Sequence, residues 1–267
     1  MNAAALSSQV ASELMRQHLS GERFTSLVET FHASEKVNAY DVQDQYVKQL
    51  IAYRNTEIYG YKVALTTPAM RCMVGYDDSI AGCVLADQLY RSGCMVQQAD
   101  YGRLLVEFEI AFRMVKDVPA SLTPWTRESI FEYVECAYPA IEIADDRFAD
   151  YASLSQSILT LAADNAWNQG LVLGAPIHDA SIDELGSIEG VASLAGIEVG
   201  RGTGKEVLGH PLNALAWLAN HLSGRGSTLK RGQVVTTGSL VKSQFPSKGT
   251  EVSFDLGRLG NVTLHVH

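Results

Sequence analysis

The chain has 267 residues, 46% of them hydrophobic and 19% charged, which provides for a sizeable core and excludes a disordered or fibrous polypeptide. A formal net charge of −9 with no Lys/Arg run excludes the basic footprint of a nucleic-acid-binding protein. No stretch approaches ~18 consecutive apolar residues, and MNAAALSSQVASELMRQHL lacks the charged and apolar regions of a signal peptide, so the expectation is a cytoplasmic protein without a membrane span. Cys72, Cys83, Cys94 and Cys136 form no CxxC pair and no zinc spacing, which fits reduced thiols.

In chain order, residues 4–58 predict helix. Leu6, Val10, Leu14 and Leu19 recur near the helical period, and Val42, Tyr46, Leu50 and Ile51 share one face of AYDVQDQYVKQLIAYRN. After Gly60 the pattern changes to short apolar runs bounded by Gly, Pro and Asp: YKVALT, LLVEFEIAF, AIEIAD, GLVLG, QVVTTGSL, TEVSFDLG and NVTLHVH. Two further helices are expected, over 127–136 and over 211–222, the second opened by Pro211 and closed by Gly224. GRGTGK (200–205) lacks the first glycine and the final hydroxyl of a phosphate loop and predicts a Gly-rich turn. Strands and helices do not alternate, which argues against a doubly wound parallel sheet. The fold class is therefore α+β: a helical N-terminal segment over 1–58 and a mixed, mostly β region over 59–267.

The run LLVEFEIAF carries the chemistry. Side chains alternate along a strand, so Val106, Phe108, Ile110 and Phe112 share an apolar face while Glu107, Glu109 and Ala111 share the other. A further isolated acid, Glu142, stands between isoleucines in YPAIEIAD. Three carboxylates from two strands can enclose a hard divalent cation, which prefers oxygen ligands. The alternative is a solvated outer face for Glu107 and Glu109 with Glu142 at a strand edge.

Six blocks then occur in order: GYKVALT (60–66), VEFEIAF (106–112), YPAIEIADDRF (138–148), ADN followed by VLG (163–174), GHPLNALAWLANHL (209–222) and VVTTGSL (234–240). Together, over residues 40–267, they resemble the fumarylacetoacetate hydrolase superfamily, in its branch of 2-keto-4-pentenoate hydratases and 4-oxalocrotonate decarboxylases. The resemblance implies a mixed β-roll catalytic domain and a magnesium or manganese ion held by Glu107, Glu109 and Glu142. It also implies a 2-oxo or 2-hydroxydienoate acid as substrate, in the catabolism of aromatic or related carbon. An ion chelated by the carboxylate and 2-oxygen of such an acid favours its enolisation.

Lys62 matches the active-site lysine of the family; without that match it reads as a surface lysine on a strand edge. Ser239 is a candidate donor to the substrate carboxylate, or else a plain turn serine. His210 and Pro211 fit a helix start, and Arg147 fits neutralisation of neighbouring acids. The activity implied is hydration of a 2-hydroxy-2,4-dienoate. The alternatives are a 4-oxalocrotonate-type decarboxylase, an acylpyruvate C–C hydrolase and, in another class, a non-catalytic partner subunit. The resemblance further implies a homo-oligomer and association with a related decarboxylase or hydratase. The face of Ala214, Trp217, Leu218 and Leu222 suits either self-association or core packing.

Two positions depart from the family pattern. Ile80 in SIAG stands where an acid is usual, and Trp167 in ADNAW stands where a serine is usual. Both are expected at the substrate tail, with Asp77 or Asp78 as possible substitutes for the missing acid. These departures predict an intact metal end and a tail region that is more apolar or differently shaped.

Overall fold

Strands β5 (Leu104–Met114) and β6 (Val134–Asp145) run antiparallel through the centre of the molecule. A computed structural model describes residues 3–27, 38–121 and 123–267. Around this pair a seven-stranded mixed sheet is ordered β2-β1-β10-β5-β6-β7-β3. Its other strands are β1 (Ile58–Ala64), β2 (Ile80–Leu85), β3 (Leu89–Arg91), β7 (Asn168–Leu173) and β10 (Val234–Ser239). A second mixed sheet of five strands is ordered β4-β12-β11-β8-β9, from β4 (Cys94–Val96), β8 (Glu189–Leu194), β9 (Ile197–Thr203), β11 (Glu251–Asp255) and β12 (Asn261–Val266).

The apolar face of β5 explains how the sheets meet. Val106, Phe108, Ile110 and Phe112 are fully buried in one cluster with Val252, Phe254, Val262 and Leu264 of the second sheet. The rings of Phe108 and Phe254 lie 5.5 Å apart. Each such side chain, once buried, contributes about 1.5–3 kcal/mol, which fixes the register of β5 and so the face on which its glutamates emerge.

The helices are α1 (Ala3–Leu19), α2 (Ala39–Arg54), α3 (Pro68–Val74), α4 (Arg127–Phe131), α5 (Ile158–Ala163), α6 (Ile182–Ser187) and α7 (Pro211–Gly224). The helical expectation for 4–58 is met over α1 and α2 but not over 20–27 or 55–58, where the chain turns and Ile58 already opens β1; its portion over 28–37 lies outside the described residues. Val10, Leu14, Val42 and Tyr46 pack with Leu105, Leu154, Leu161 and Trp167, so the N-terminal helices build a second core cluster. In α7, Pro211 is the first helical residue and His210 is the N-cap, its Nδ1 accepting from the Leu212 N–H. Ala214, Leu218 and Leu222 of α7 are buried in the main core and Trp217 is half-buried, so that face serves packing. Among the described residues no helix is long and apolar enough to cross a membrane, and the four cysteines are free.

Two expectations are corrected. The helix over 127–136 ends at Phe131, and Val134 already pairs with Met114. Thr126 and Ser129 form a true capping box, but the Val134–Asp145 run gains a long ladder with β5 that outweighs one more helical turn. The segment 200–205 is not a free turn: residues through Thr203 are strand β9, paired with β8, and a 3₁₀ turn follows at Gly204–Glu206.

Candidate metal centre

The three glutamates converge. Glu107 and Glu142 are direct partners across β5 and β6, and Glu109 lies two residues along the same face. Glu107, Glu109 and Glu142 each offer a carboxylate oxygen within 4.8 Å of the others. Glu109 and Glu142 are fully buried, so a solvated outer face is excluded for this pair of strands. Lys62 approaches from β1, two strands away from β5, with Nζ 3.2 Å from Glu142 Oε1 and 3.2 Å from the Ala166 carbonyl oxygen.

Each carboxylate is oriented by a fixed donor. Ser243 Oγ donates to Glu107 Oε1 at 2.7 Å, the Gly238 N–H donates to Glu109 Oε2 at 2.7 Å, and Asn168 Nδ2 donates to Glu142 Oε1 at 2.9 Å. Gly238 is required there. Its φ is 104°, and a Cβ would stand 2.1 Å from Thr66 Oγ1. The remaining oxygens, Glu109 Oε1 and Glu142 Oε2, are buried and have no hydrogen-bond partner. Native proteins rarely leave such acceptors unpaired, and two of them beside a third carboxylate match the donor set of a hard dication. The residues therefore fit the ion.

The electrostatics agree. Burial pushes the Glu109 carboxyl well above its usual range, and Glu142 and Glu107 add to that shift. Burial likewise raises Glu142, against the pull of Lys62. For Lys62, burial disfavours the ammonium, but Glu142, Glu107 and Glu109 outweigh it and its pKa is raised. A cluster of this kind lacks positive charge, which a bound cation supplies.

A cavity of about 740 Å³ opens beside the cluster, lined by Lys62, Glu107, Ser239 and Trp167 among others. Trp167 is buried, with its ring edge-on to Phe24 at 5.1 Å, and its indole N–H has no partner. Ser239 Oγ accepts from the Phe108 N–H at 2.8 Å and donates to the Val241 carbonyl at 2.6 Å, so its hydroxyl holds the irregular end of the β10–β5 ladder. Ile80 does not line the cavity. Strand β2 is buried throughout, and Ile80 packs against Leu14, Val42 and Tyr46 of the N-terminal helices. Asp77 and Asp78 are also absent from the lining, and Asp78 accepts from the Trp217 indole N–H at 2.8 Å.

Sequence reasoning did not find Ser243, Asn168, Gly238 or Ala166. Asn168 and Gly238 fall inside or beside the ADN and TTGSL blocks and were within reach; Ser243 lies in a loop without periodic signal. Arg147 does neutralise an acid, but its partner is Asp164, 2.6 Å from Nη2, across a buried pair.

The mixed β fold is shared with a fumarylpyruvate hydrolase from Pseudomonas aeruginosa, with a TM-score of 0.60 at 14% identity, covering 77% of this chain and 88% of that one. The chain matches the 4-oxalocrotonate decarboxylase from Pseudomonas putida G7, complexed with magnesium and adipate, with a TM-score of 0.86 at 23% identity, covering 98% of this chain and 97% of that one. It is 31% identical to the 2-keto-4-pentenoate hydratase of Burkholderia vietnamiensis (strain G4) over 86% of each chain. It is 30% identical to 2-keto-4-pentenoate hydratase 1 of Dechloromonas aromatica (strain RCB) over 98% of each. No protein-family profile matches the chain. The chain belongs to the family of 2-keto-4-pentenoate hydratases and 4-oxalocrotonate decarboxylases.

Proposed function

We infer that this protein is a divalent-metal-dependent hydro-lyase that adds water to a 2-hydroxy-2,4-dienoate and gives a 4-hydroxy-2-oxo acid, with magnesium or manganese as its ion. The observation that carries this reading is the convergence of Glu107, Glu109 and Glu142 within 4.8 Å, beside the buried Lys62 and at the wall of a cavity. The hydratases at about 30% identity support the reaction class, and the magnesium complex of the related decarboxylase supports the ion.

Glu107, Glu109 and Glu142 would hold the ion, the latter two through the oxygens that now lack partners. When bound, a divalent ion supplies Lewis acidity towards the carboxylate and 2-oxygen of a 2-oxo acid. The chain's own groups do the rest. Ser243, Gly238 and Asn168 fix the rotation of the three carboxylates, so that no reorganisation is needed when substrate arrives. Lys62 Nζ has three N–H bonds, of which Glu142 and Ala166 take two; the third is free to hold the substrate's oxygen or to pass it a proton. Ser239 shapes the turn that presents Gly238, and Trp167 bounds the space for the tail.

The test is direct. The magnesium-loaded protein is mixed in turn with 2-hydroxypenta-2,4-dienoate, an unsaturated 2-oxo dicarboxylic acid and an acylpyruvate, and dienol absorbance is followed together with carbon dioxide and acid release. Loss of absorbance with neither is the expected result. Release of carbon dioxide assigns a decarboxylase, and release of a carboxylic acid assigns a C–C hydrolase. Failure to turn over any of these, together with failure to bind magnesium and oxalate by calorimetry, assigns a non-catalytic partner subunit.

A further inference from the structure

We propose that the substrate carries an uncharged, apolar tail, an alkyl or aryl group, at the end remote from its 2-oxo acid head, and that a second carboxylate at that end is rejected. This rests on the reading of the carboxylate cluster as a 2-oxo acid site and goes on to name the class of acid.

The cavity lining is of two kinds. Lys62, Glu107 and Ser243 stand around the carboxylate cluster. Much of the remaining lining is apolar, from Met70, Leu105, Leu154, Leu161, Trp167 and Phe245, with Thr66, Thr67 and Tyr151 among its neutral polar members. Leu105, Leu154, Leu161 and Trp167 belong to one packed cluster with Met70 against it, so this wall is continuous. Its volume of about 740 Å³ exceeds what a small chelating head needs, and a cavity of ~150 Å³ already holds a benzene. A ring-sized or extended alkyl tail fits the remainder.

Among the described residues the apolar part of the lining carries no cation. Among the described lining residues the charged groups are Lys62, Glu107, Glu206 and Lys242. Lys62 is engaged by Glu142. Lys242 is exposed and adjoins Ser243, which bonds Glu107. Glu206 would repel an anionic tail. A further cation beside the lining is Arg103, whose guanidinium lies 4.9 Å from the Phe245 ring and 5.7 Å from the Tyr151 ring. It is already matched: Nε and Nη2 donate to the two oxygens of Asp146, and Nη2 also donates to the Ala149 carbonyl. The indole N–H of Trp167 is unpaired but carries no charge. A carboxylate pressed against this wall would lose its water without gaining a partner.

Calorimetry with saturated 2-oxo acids tests this without depending on turnover. In the presence of magnesium, 2-oxooctanoate is expected to bind about 10-fold or more tightly than 2-oxoadipate, since apolar methylenes gain and a buried carboxylate loses. The variant Met70→Lys, which places a cation on the wall, is expected to improve 2-oxoadipate binding several-fold while leaving magnesium binding intact. Equal or tighter binding of 2-oxoadipate by the unaltered protein overturns the tail assignment and leaves the head-group reading standing. If neither acid binds with magnesium present, the head-group reading itself fails, and the tail assignment with it.

Discussion

Glu107 and Glu142 stand directly opposite each other across the β5–β6 ladder, so the backbone pairing itself forces two carboxylates together. Like charges placed this way destabilise a sheet unless a cation intervenes. Lys62 meets one of the three acids; in formal charge, three anions against one cation leave two negative charges, which one dication cancels. Magnesium at 100 times its dissociation constant should therefore stabilise the fold by about 2.7 kcal/mol, read as a rise in Tm of about 5 °C or more that a chelator reverses. Glu109→Gln should abolish that rise yet leave the metal-free protein at least as stable as the parent, because a buried, repelled carboxylate is gone. A Tm indifferent to magnesium in the parent protein would refute the centre.

Lys62 is held from behind as well as from the front. Its second acceptor, the Ala166 carbonyl, belongs to three successive non-glycine residues in the left-handed region, Asn165, Ala166 and Trp167, with φ of 52°, 49° and 62°. Such backbone persists only where its surroundings enforce it. Here Asn165 does so: Oδ1 accepts from the Cys83 N–H at 2.6 Å and Nδ2 donates to the Cys83 carbonyl at 2.8 Å, as a neighbouring strand would. Asn165→Ala should cost about 2–4 kcal/mol in urea denaturation, since both Cys83 groups become buried and unpaired. Turnover should fall through kcat while magnesium affinity changes little, because Asn165 acts through the lysine and not through the glutamates. Lys62→Met should lower kcat by about 10²–10⁴-fold. It should also destabilise the metal-free protein more than the magnesium-loaded one, as Glu142 loses its counter-charge.

How much of this was legible in the sequence depends on whether a residue's role is local. The strand alternation of LLVEFEIAF and the isolated acid in YPAIEIAD announced the three glutamates, because period-two patterning is local. The start of α7 was legible for the same reason, with Pro211 at its first position. Lys62 was not legible from its surroundings; only the ordered blocks marked it, since its acid partners lie far along the chain. Ile80 was expected at the tail because it replaces the acid of the family pattern, whereas it is buried in the cluster of Leu14 and Tyr46 and does not line the cavity. The second sheet was read only in part. Strands β8 and β9 mix glycine with polar residues, and their pairing with each other, with β8 also paired to β11, supplies what local propensity does not.

His221 makes the fold acid-sensitive. Its ring stacks on Trp217 at 5.0 Å and meets the Tyr40 ring at 4.5 Å, with Arg225 and Asp78 as the charged neighbours. Burial, aided by Arg225 and opposed by Asp78, lowers its pKa from 6.5 to about 4. The folded pKa lies below the unfolded one, so between these values the unfolded chain binds the extra proton and stability falls as pH drops. The loss is complete below about pH 4. His221→Asn should flatten this part of the stability profile: the difference in urea midpoint between pH 7 and pH 5 should be smaller in the variant than in the parent. An identical slope in both would show that His221 does not contribute.

Asp164, next to the turn behind Lys62, is paired both with Arg147 and with His18 of the N-terminal helix. Asp164 is fully buried, with Oδ2 2.6 Å from Arg147 Nη2 and Oδ1 2.5 Å from His18 Nε2 of α1. Burial alone would raise its pKa, but His18 and Arg147 outweigh that and hold it below the usual value. The stability it contributes is therefore present above its unfolded pKa and is lost as the solution is acidified through the lower folded one. Removing Arg147 leaves the buried Asp164 with His18 alone, so Arg147→Met should cost up to about 3–5 kcal/mol at pH 7. Asp164→Asn on the Arg147→Met background should recover a large part of this, because no buried charge then remains unpaired. A double-mutant cycle by urea denaturation measures the coupling. Additive losses would mean that the two groups do not sense each other. Coupled losses accompanied by a fall in kcat would show that the pair also holds the Asn165–Trp167 turn in place.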